Sequence, residues 1–274
     1  MKISKRKIIQ FAIALLYNSN FQGFKNAELY RGIIKNVCVP GLNCYSCPGA
    51  IAACPIGAFQ KQLMGAKGIM GILTRFPYYV IGLMILFGII FGRIVCGFLC
   101  PFGLVQELLY KIKSVKIKKS NVTRKLTYIK YFVLVVFVVM IPMTLYYPGF
   151  CKFICPVGTL EAGVINVVLN ERLRSVIGFL FGWKVIVAIT ILIMSIFMFR
   201  FFCRFLCPLG AIYGFFNKVS IMGIKIDSKK CTHCNACINH CFMDVKRVGD
   251  RECIECGECR SVCKEGAIFT DIKI

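Results

Sequence analysis

The stretch CTHCNACINHC at residues 231–241, followed by CIECGECRSVC at 253–263, decides how this chain is read. Both runs have the spacing C-x2-C-x2-C-x3-C. In two-cluster iron–sulfur proteins three cysteines of one run hold one [4Fe–4S] cluster, and the fourth reaches across to the other. The spacing therefore assigns Cys231, Cys234, Cys237 and Cys263 to one cluster, and Cys253, Cys256, Cys259 and Cys241 to the second. Two-residue gaps let one tight loop wrap three corners of a cubane while backbone N–H groups face its sulfurs. Zinc sites use two knuckles of two ligands, so paired runs of four argue against zinc. The proline that usually follows the fourth cysteine is replaced by Phe242 and Lys264, which removes no ligand. His233 and His240 fall between ligands and read as solvent-facing.

Upstream of these runs the chain is strongly apolar. Hydrophobic residues make up 58% of the sequence, more than a soluble domain carries. Four membrane spans are expected at about residues 8–24, 76–95, 131–150 and 183–200, the last extended by snorkelling Lys184 and Arg200. The first is the weakest, because Asn18, Ser19, Asn20 and Gln22 crowd its end. Lys2, Lys5, Arg6 and Lys7 precede it as in a signal peptide, but no small-residue cleavage site follows Tyr17, which favours an uncleaved anchor. Between the second and third spans lie Lys111, Lys113, Lys116, Lys118, Lys119, Arg124, Lys125 and Lys130, against Glu107 alone. The positive-inside rule puts that loop, the N-terminus and the C-terminal runs in the cytoplasm. Residues 25–72, with Lys35 and Lys67, and residues 148–182 then lie outside.

The motif Cys-Pro-x-Gly occurs four times, as CPIG at 54–57, CPFG at 100–103, CPVG at 155–158 and CPLG at 207–210. Three copies have a cysteine four residues earlier, giving the pairs Cys96/Cys100, Cys151/Cys155 and Cys203/Cys207. The first copy instead follows Cys44 and Cys47, with Cys38 nearby. An i, i+4 spacing puts both thiols of a pair on one helix face, and the proline then turns the chain. The simplest account is a tandem duplication of a two-span unit. The fold expected is thus four transmembrane helices in two tandem two-helix repeats (residues 1–218), with an α+β two-cluster ferredoxin-like domain at 222–274. Cys96, Cys100, Cys203 and Cys207 form a candidate inner metal site. Cys44, Cys47, Cys54, Cys151 and Cys155 form a candidate outer one. Cluster ligation, redox-active disulfides and plain apolar packing are the three readings open for these thiols. The first adds one or two iron–sulfur centres to the two ferredoxin clusters.

The net charge of +23 does not indicate nucleic-acid binding. Eight of the twelve acids fall in residues 225–274 beside nine bases, so the excess sits among the apolar runs, as membrane topology requires. The spans hold no histidine, so no bis-histidine haem is expected, and no Asp or Glu, which argues against an ion-pumping path. Glu107 and Glu161 follow CPxG motifs and read as interfacial polar residues. No nucleotide-binding motif is present.

The pairs CGFLCP at 96–101 and CRFLCP at 203–208, ahead of a two-cluster ferredoxin segment, resemble the NapH/NosR-type family of membrane polyferredoxins over residues from about 70 to 270. The stretches at 43–58 and 151–158 resemble 4Fe–4S-binding membrane proteins of anaerobes. The resemblance implies an electron-transfer component, akin to a quinol-dehydrogenase subunit. It would pass electrons in the cytoplasmic membrane between a cytoplasmic or quinol donor and a redox partner protein. Two other classes compete with it: a metal or disulfide reductase or assembly factor, and a redox-sensing membrane protein.

Overall fold

The computed structural model describes residues 5–26, 28–65, 76–175 and 177–272; Lys2 and Lys67 lie outside them. Helix α1 (Lys5–Tyr17) is stopped by Asn18, whose side-chain amide donates to the Ala14 carbonyl (3.1 Å) and to Asn43 Oδ1 (3.1 Å). An amide that competes for the last carbonyls ends a helix. The expected 8–24 span is therefore broken at Asn18, and a separate short helix, Phe21–Asn26, follows.

Helix α2 (Pro55–Gly65) starts on the proline of CPIG, and helix α4 (Pro101–Tyr110) starts on that of CPFG. Proline at the first helical position suits the fixed φ and loses no hydrogen bond. Between them α3 (Tyr78–Phe91) ends at Gly92, whose φ of 51° turns the chain into a π-helical turn, Val95–Leu99. Helix α5 (Asn121–Thr144) begins at Ser120, which exchanges hydrogen bonds with Thr123 in a capping box. Helices α6 (Gly158–Leu169), α7 (Phe179–Phe197) and α8 (Pro208–Phe216) complete the helical part. Strands β1 (Met222–Ile226) and β2 (Ile268–Ile272) pair antiparallel, Met222 opposite Ile272, and enclose the two cysteine runs and a short helix α9 (Ala236–His240).

Two helices are long and apolar enough to cross a membrane: α5, with a mean hydropathy of 2.1, and α7, with 2.3. Neither is covered by protein. Phe132, Val135, Met140, Ile186, Ile189 and Ile193 all project outward, an apolar surface of the kind lipid rather than water contacts. Of the four expected spans, α1 and α3 are shorter, with 13 and 14 residues, about 20 Å at 1.5 Å per residue. The core lies where the motifs meet, around Leu42, Ile56, Val95, Phe102, Phe150, Phe202 and Tyr213.

Candidate metal centres

The two C-terminal runs fold alike. His233 and Asn235 in the first run have φ of 54° and 57°; Glu255 and Gly257, at the matching places in the second, have 52° and 79°. Left-handed residues between ligands turn successive N–H groups toward one centre. Accordingly, the N–H groups of Gly249 and Glu255 face the Cys253 sulfur, that of Glu258 faces Cys256, and that of Met243 faces Cys241. Cys241, Cys253, Cys256 and Cys259, the four residues assigned to the second cluster, line one enclosed apolar cavity with Phe199, Met243 and Ile254. The other set is more open: Cys231, Cys237 and Cys263 are half-buried and Cys234 is exposed. Both histidines are exposed, as expected.

Cys96, Cys100, Cys203 and Cys207 are all buried and lie within electrostatic reach of one another. Cys96 stands in the π-helical turn, and Cys100 and Cys207 stand immediately before their Pro-led helices. The Gly210 N–H donates to Cys207 Sγ (3.3 Å) and Gln106 Nε2 donates to Cys203 Sγ (3.1 Å). The Leu42 N–H, from the first loop, faces Cys100. In the outer set the Gly158 N–H donates to Cys155 Sγ (3.4 Å), and Gln60 Nε2 approaches Cys151 Sγ (3.5 Å).

The two sets are neighbours rather than residents of opposite membrane faces. Leu42 reaches Cys100, and Cys44 follows two residues later, a span of about 7 Å at most. A Cβ on Gly41 would stand 3.0 Å from the Leu99 carbonyl, so the first loop lies directly on the inner set. The rings of Phe150 and Phe202, each next to a candidate ligand, meet at 6.3 Å. Polar loop backbone at such depth is tolerated where protein buries it. On the other flank, a Cβ on Gly97 would lie 2.5 Å from the Ile254 carbonyl, which brings the second-cluster loop onto the inner set.

Charges assigned by sequence to solvent or membrane surface are instead buried in pairs. Arg200 does not snorkel; it is fully buried and donates to Glu107 Oε1 from Nε (2.9 Å) and Nη2 (2.6 Å). Glu107 also takes a two-pronged bond from Arg6 (2.8 Å each), so it is a buried hub and not an interfacial residue. Glu161, half-buried, accepts the Cys44 N–H (2.9 Å). Arg93 (3.0 Å) and Lys130 (2.6 and 2.8 Å) converge on Glu252; Arg204 pairs with Asp244, and Arg124 with Asp250 (2.9 Å). These cations tie the C-terminal segment to the helices. Arg93 and Arg200 also flank the inner thiols, where positive charge stabilises thiolates and raises a cluster's potential.

Among the described residues no three His, Cys, Asp or Glu side chains stand close enough to hold a single metal ion. A multi-iron cluster is wider and holds its thiolates further apart, so the cysteine sets fit a cluster better than zinc. Every cysteine is a free thiol. Burial pushes Cys38 up to about 11 and Cys44 and Cys253 up to about 12. Thiol–disulfide exchange needs the thiolate, whereas metal binding displaces the proton outright. Gln60, Gln106 and Gly97 escaped the sequence reading. A signal existed for the glutamines: CPIGAFQ and CPFGLVQ carry them at the same offset.

A 4Fe-4S binding domain family matches residues 78–120, 131–172 and 179–227. An uncharacterised protein of Methanocaldococcus jannaschii is 31% identical over 223 residues, covering 78% of this chain and 76% of its own length. The ferredoxin-type protein NapH of Escherichia coli is 26% identical over 208 residues, 68% of this chain and 64% of NapH. The regulatory protein NosR of Stutzerimonas stutzeri is 27% identical over 188 residues, 63% of this chain but 24% of NosR. No solved structure matches. Paired Cys-x3-Cys-Pro motifs, the matched 4Fe-4S domain and these relatives agree: the chain belongs to the NapH/NosR-type family of ferredoxin-like 4Fe–4S membrane proteins.

Proposed function

We propose that this iron–sulfur electron-transfer protein passes electrons between two C-terminal [4Fe–4S] clusters and a redox partner at the far end of its helical part. The clusters would be held by Cys231, Cys234, Cys237 and Cys263, and by Cys253, Cys256, Cys259 and Cys241. The inner cysteines Cys96, Cys100, Cys203 and Cys207 hold a third centre between them and the outer set. The observation that carries this reading is the contact of Gly97 with Ile254, which joins the loops of two adjacent ligand sets without an intervening side chain. In this reading residues 1–218 form a multi-pass unit of the cytoplasmic membrane, with the 222–274 ferredoxin domain on its cytoplasmic side.

A quinone is a suitable exchange partner at the outer end. A wide, mainly apolar cavity opens beside Cys44, Cys54 and Cys151, walled by Tyr79, Leu180 and Phe181 and edged by Lys61 and Lys184. Such walls suit a lipophilic carrier. The deciding experiment is iron and acid-labile sulfide per chain, with EPR at stepped potentials, on anaerobically purified protein. More than eight irons are expected, falling in Cys96→Ser and Cys203→Ser. Eight irons, with both variants transferring electrons at the full rate, would sink the reading.

A further inference from the structure

The four Cys-Pro-x-Gly copies combine crosswise, and the two combinations share one construction. Gln106, from the CPFG helix, accepts the Phe202 N–H (3.0 Å) and donates to Cys203. Gln60, from the CPIG helix, accepts the Phe150 N–H (3.1 Å) and approaches Cys151. Phe150 and Phe202 each precede the first cysteine of a pair. In both cases the second cysteine of that pair accepts the N–H of its own motif glycine: Cys155 from Gly158, and Cys207 from Gly210. The outer site is therefore a structural copy of the inner one, with Cys54 in the place of Cys100, Cys151 of Cys203 and Cys155 of Cys207.

The copy lacks one ligand. Cys96 stands four residues before Cys100, but the residue four before Cys54 is Ala50, which is fully buried. The first loop offers three thiols in compensation, and their placement separates them. A Cβ on Gly158 would stand 3.7 Å from Cys44 Sγ and 3.9 Å from Cys155 Sγ, so those two sulfurs share one wall of the site. Glu161, on the same helix as Gly158, fixes the Cys44 backbone. Cys151 and Cys155 each interact electrostatically with Cys44 and Cys54. Cys47 instead faces the N–H groups of Gly49 and Ala50 within its own turn, beside Lys35.

We infer that Cys44, Cys54, Cys151 and Cys155 hold a second iron–sulfur centre beside the inner one, with Cys44 replacing the missing pair cysteine and Cys47 and Cys38 excluded. This rests on the inner quartet being an iron–sulfur centre itself. The test uses full-length protein purified anaerobically in detergent, with iron, sulfide and EPR measured on single variants. The EPR signals of the C-terminal clusters serve as the folding control. Cys44→Ser and Cys54→Ser should each lose one centre's iron, while Cys47→Ser and Cys38→Ser keep the full complement. Cys203→Ser should lose a different centre, so that Cys44→Ser combined with Cys203→Ser loses both. Loss in Cys47→Ser but not in Cys44→Ser overturns the ligand assignment. Unchanged iron in both Cys44→Ser and Cys54→Ser, with loss in Cys203→Ser, overturns the outer centre and leaves the inner one standing. Loss in Cys44→Ser with none in Cys203→Ser supports the outer centre and sinks the inner reading.

Discussion

The backbone of Gly97 faces the carbonyl of Ile254 so closely that a Cβ on the glycine would stand 2.5 Å from the oxygen. Gly97 lies between Cys96 and Cys100, and Ile254 follows Cys253, so two ligand loops touch at a point where only hydrogen fits. Asn217 holds this junction from the side, accepting the Arg93 N–H (2.7 Å) and donating to the carbonyls of Asp250 (2.8 Å) and Cys253 (2.6 Å). Gly97→Ala should force the loops apart at a cost of about 1–3 kcal/mol. Iron content should stay constant while electron transfer from the C-terminal clusters to the inner centre slows. Stopped-flow reduction with a dye that reduces the C-terminal clusters measures that rate; an unchanged rate would place the electron path elsewhere.

Glu252 is the single carboxylate facing two fully buried cations, Arg93 and Lys130. Glu252→Gln leaves a buried positive charge without a counterion, which costs about 3–5 kcal/mol. The exposed Asp227–Lys230 pair, at 4.0 Å, makes the comparison; Asp227→Asn should cost under about 1 kcal/mol. Denaturation of both variants in one detergent checks the contrast. Equal losses would mean that the buried pairs do not hold the C-terminal segment in place.

Much of this organisation is legible in the sequence, though unevenly. Ligand spacing is local, so the two C-terminal runs and the CPxG copies announce their chemistry directly. Which copies meet is a tertiary fact, and it altered the expected layout: the inner and outer sets adjoin through residues 40–44. Hydropathy marked α5 and α7 well, because their apolar surfaces stay uncovered. It misjudged residues 8–24, where Asn18 terminates the helix through its own side chain. Charge was the least transparent. Lys130 and Arg200 look in sequence like basic flanks of spans. Their acidic partners, Glu252 and Glu107, are 122 and 93 residues distant in the chain.

Removing iron should unfold the C-terminal segment selectively. Its regular structure is one two-stranded sheet and a five-residue helix, too little to stand without a core. Cysteine-ligated clusters replace that core, and their binding energy becomes folding energy. After chelation, hydrogen exchange should quicken across residues 222–270 while α5 and α7 keep their protection. Retained protection around β1 and β2 would show that the ion pairs to Arg93, Lys130 and Arg204 suffice.

The matched glutamines offer a way to address the two membrane-part centres one at a time. An N–H···S bond favours the reduced, more negative cluster, so removing it lowers the reduction potential. Gln106→Leu takes the donor from Cys203, and Gln60→Leu takes it from Cys151. If the bond is worth about 1 kcal/mol more in the reduced state, the shift is on the order of 40 mV for a one-electron couple. The 3.1 Å contact of Gln106 should give the larger change, and the 3.5 Å contact of Gln60 the smaller. Spectroelectrochemical titration should then show each variant moving one centre and leaving the other and the C-terminal clusters in place. A glutamine that merely props its helix would disturb iron content or stability without a selective shift. Two separately movable potentials would require two separate centres.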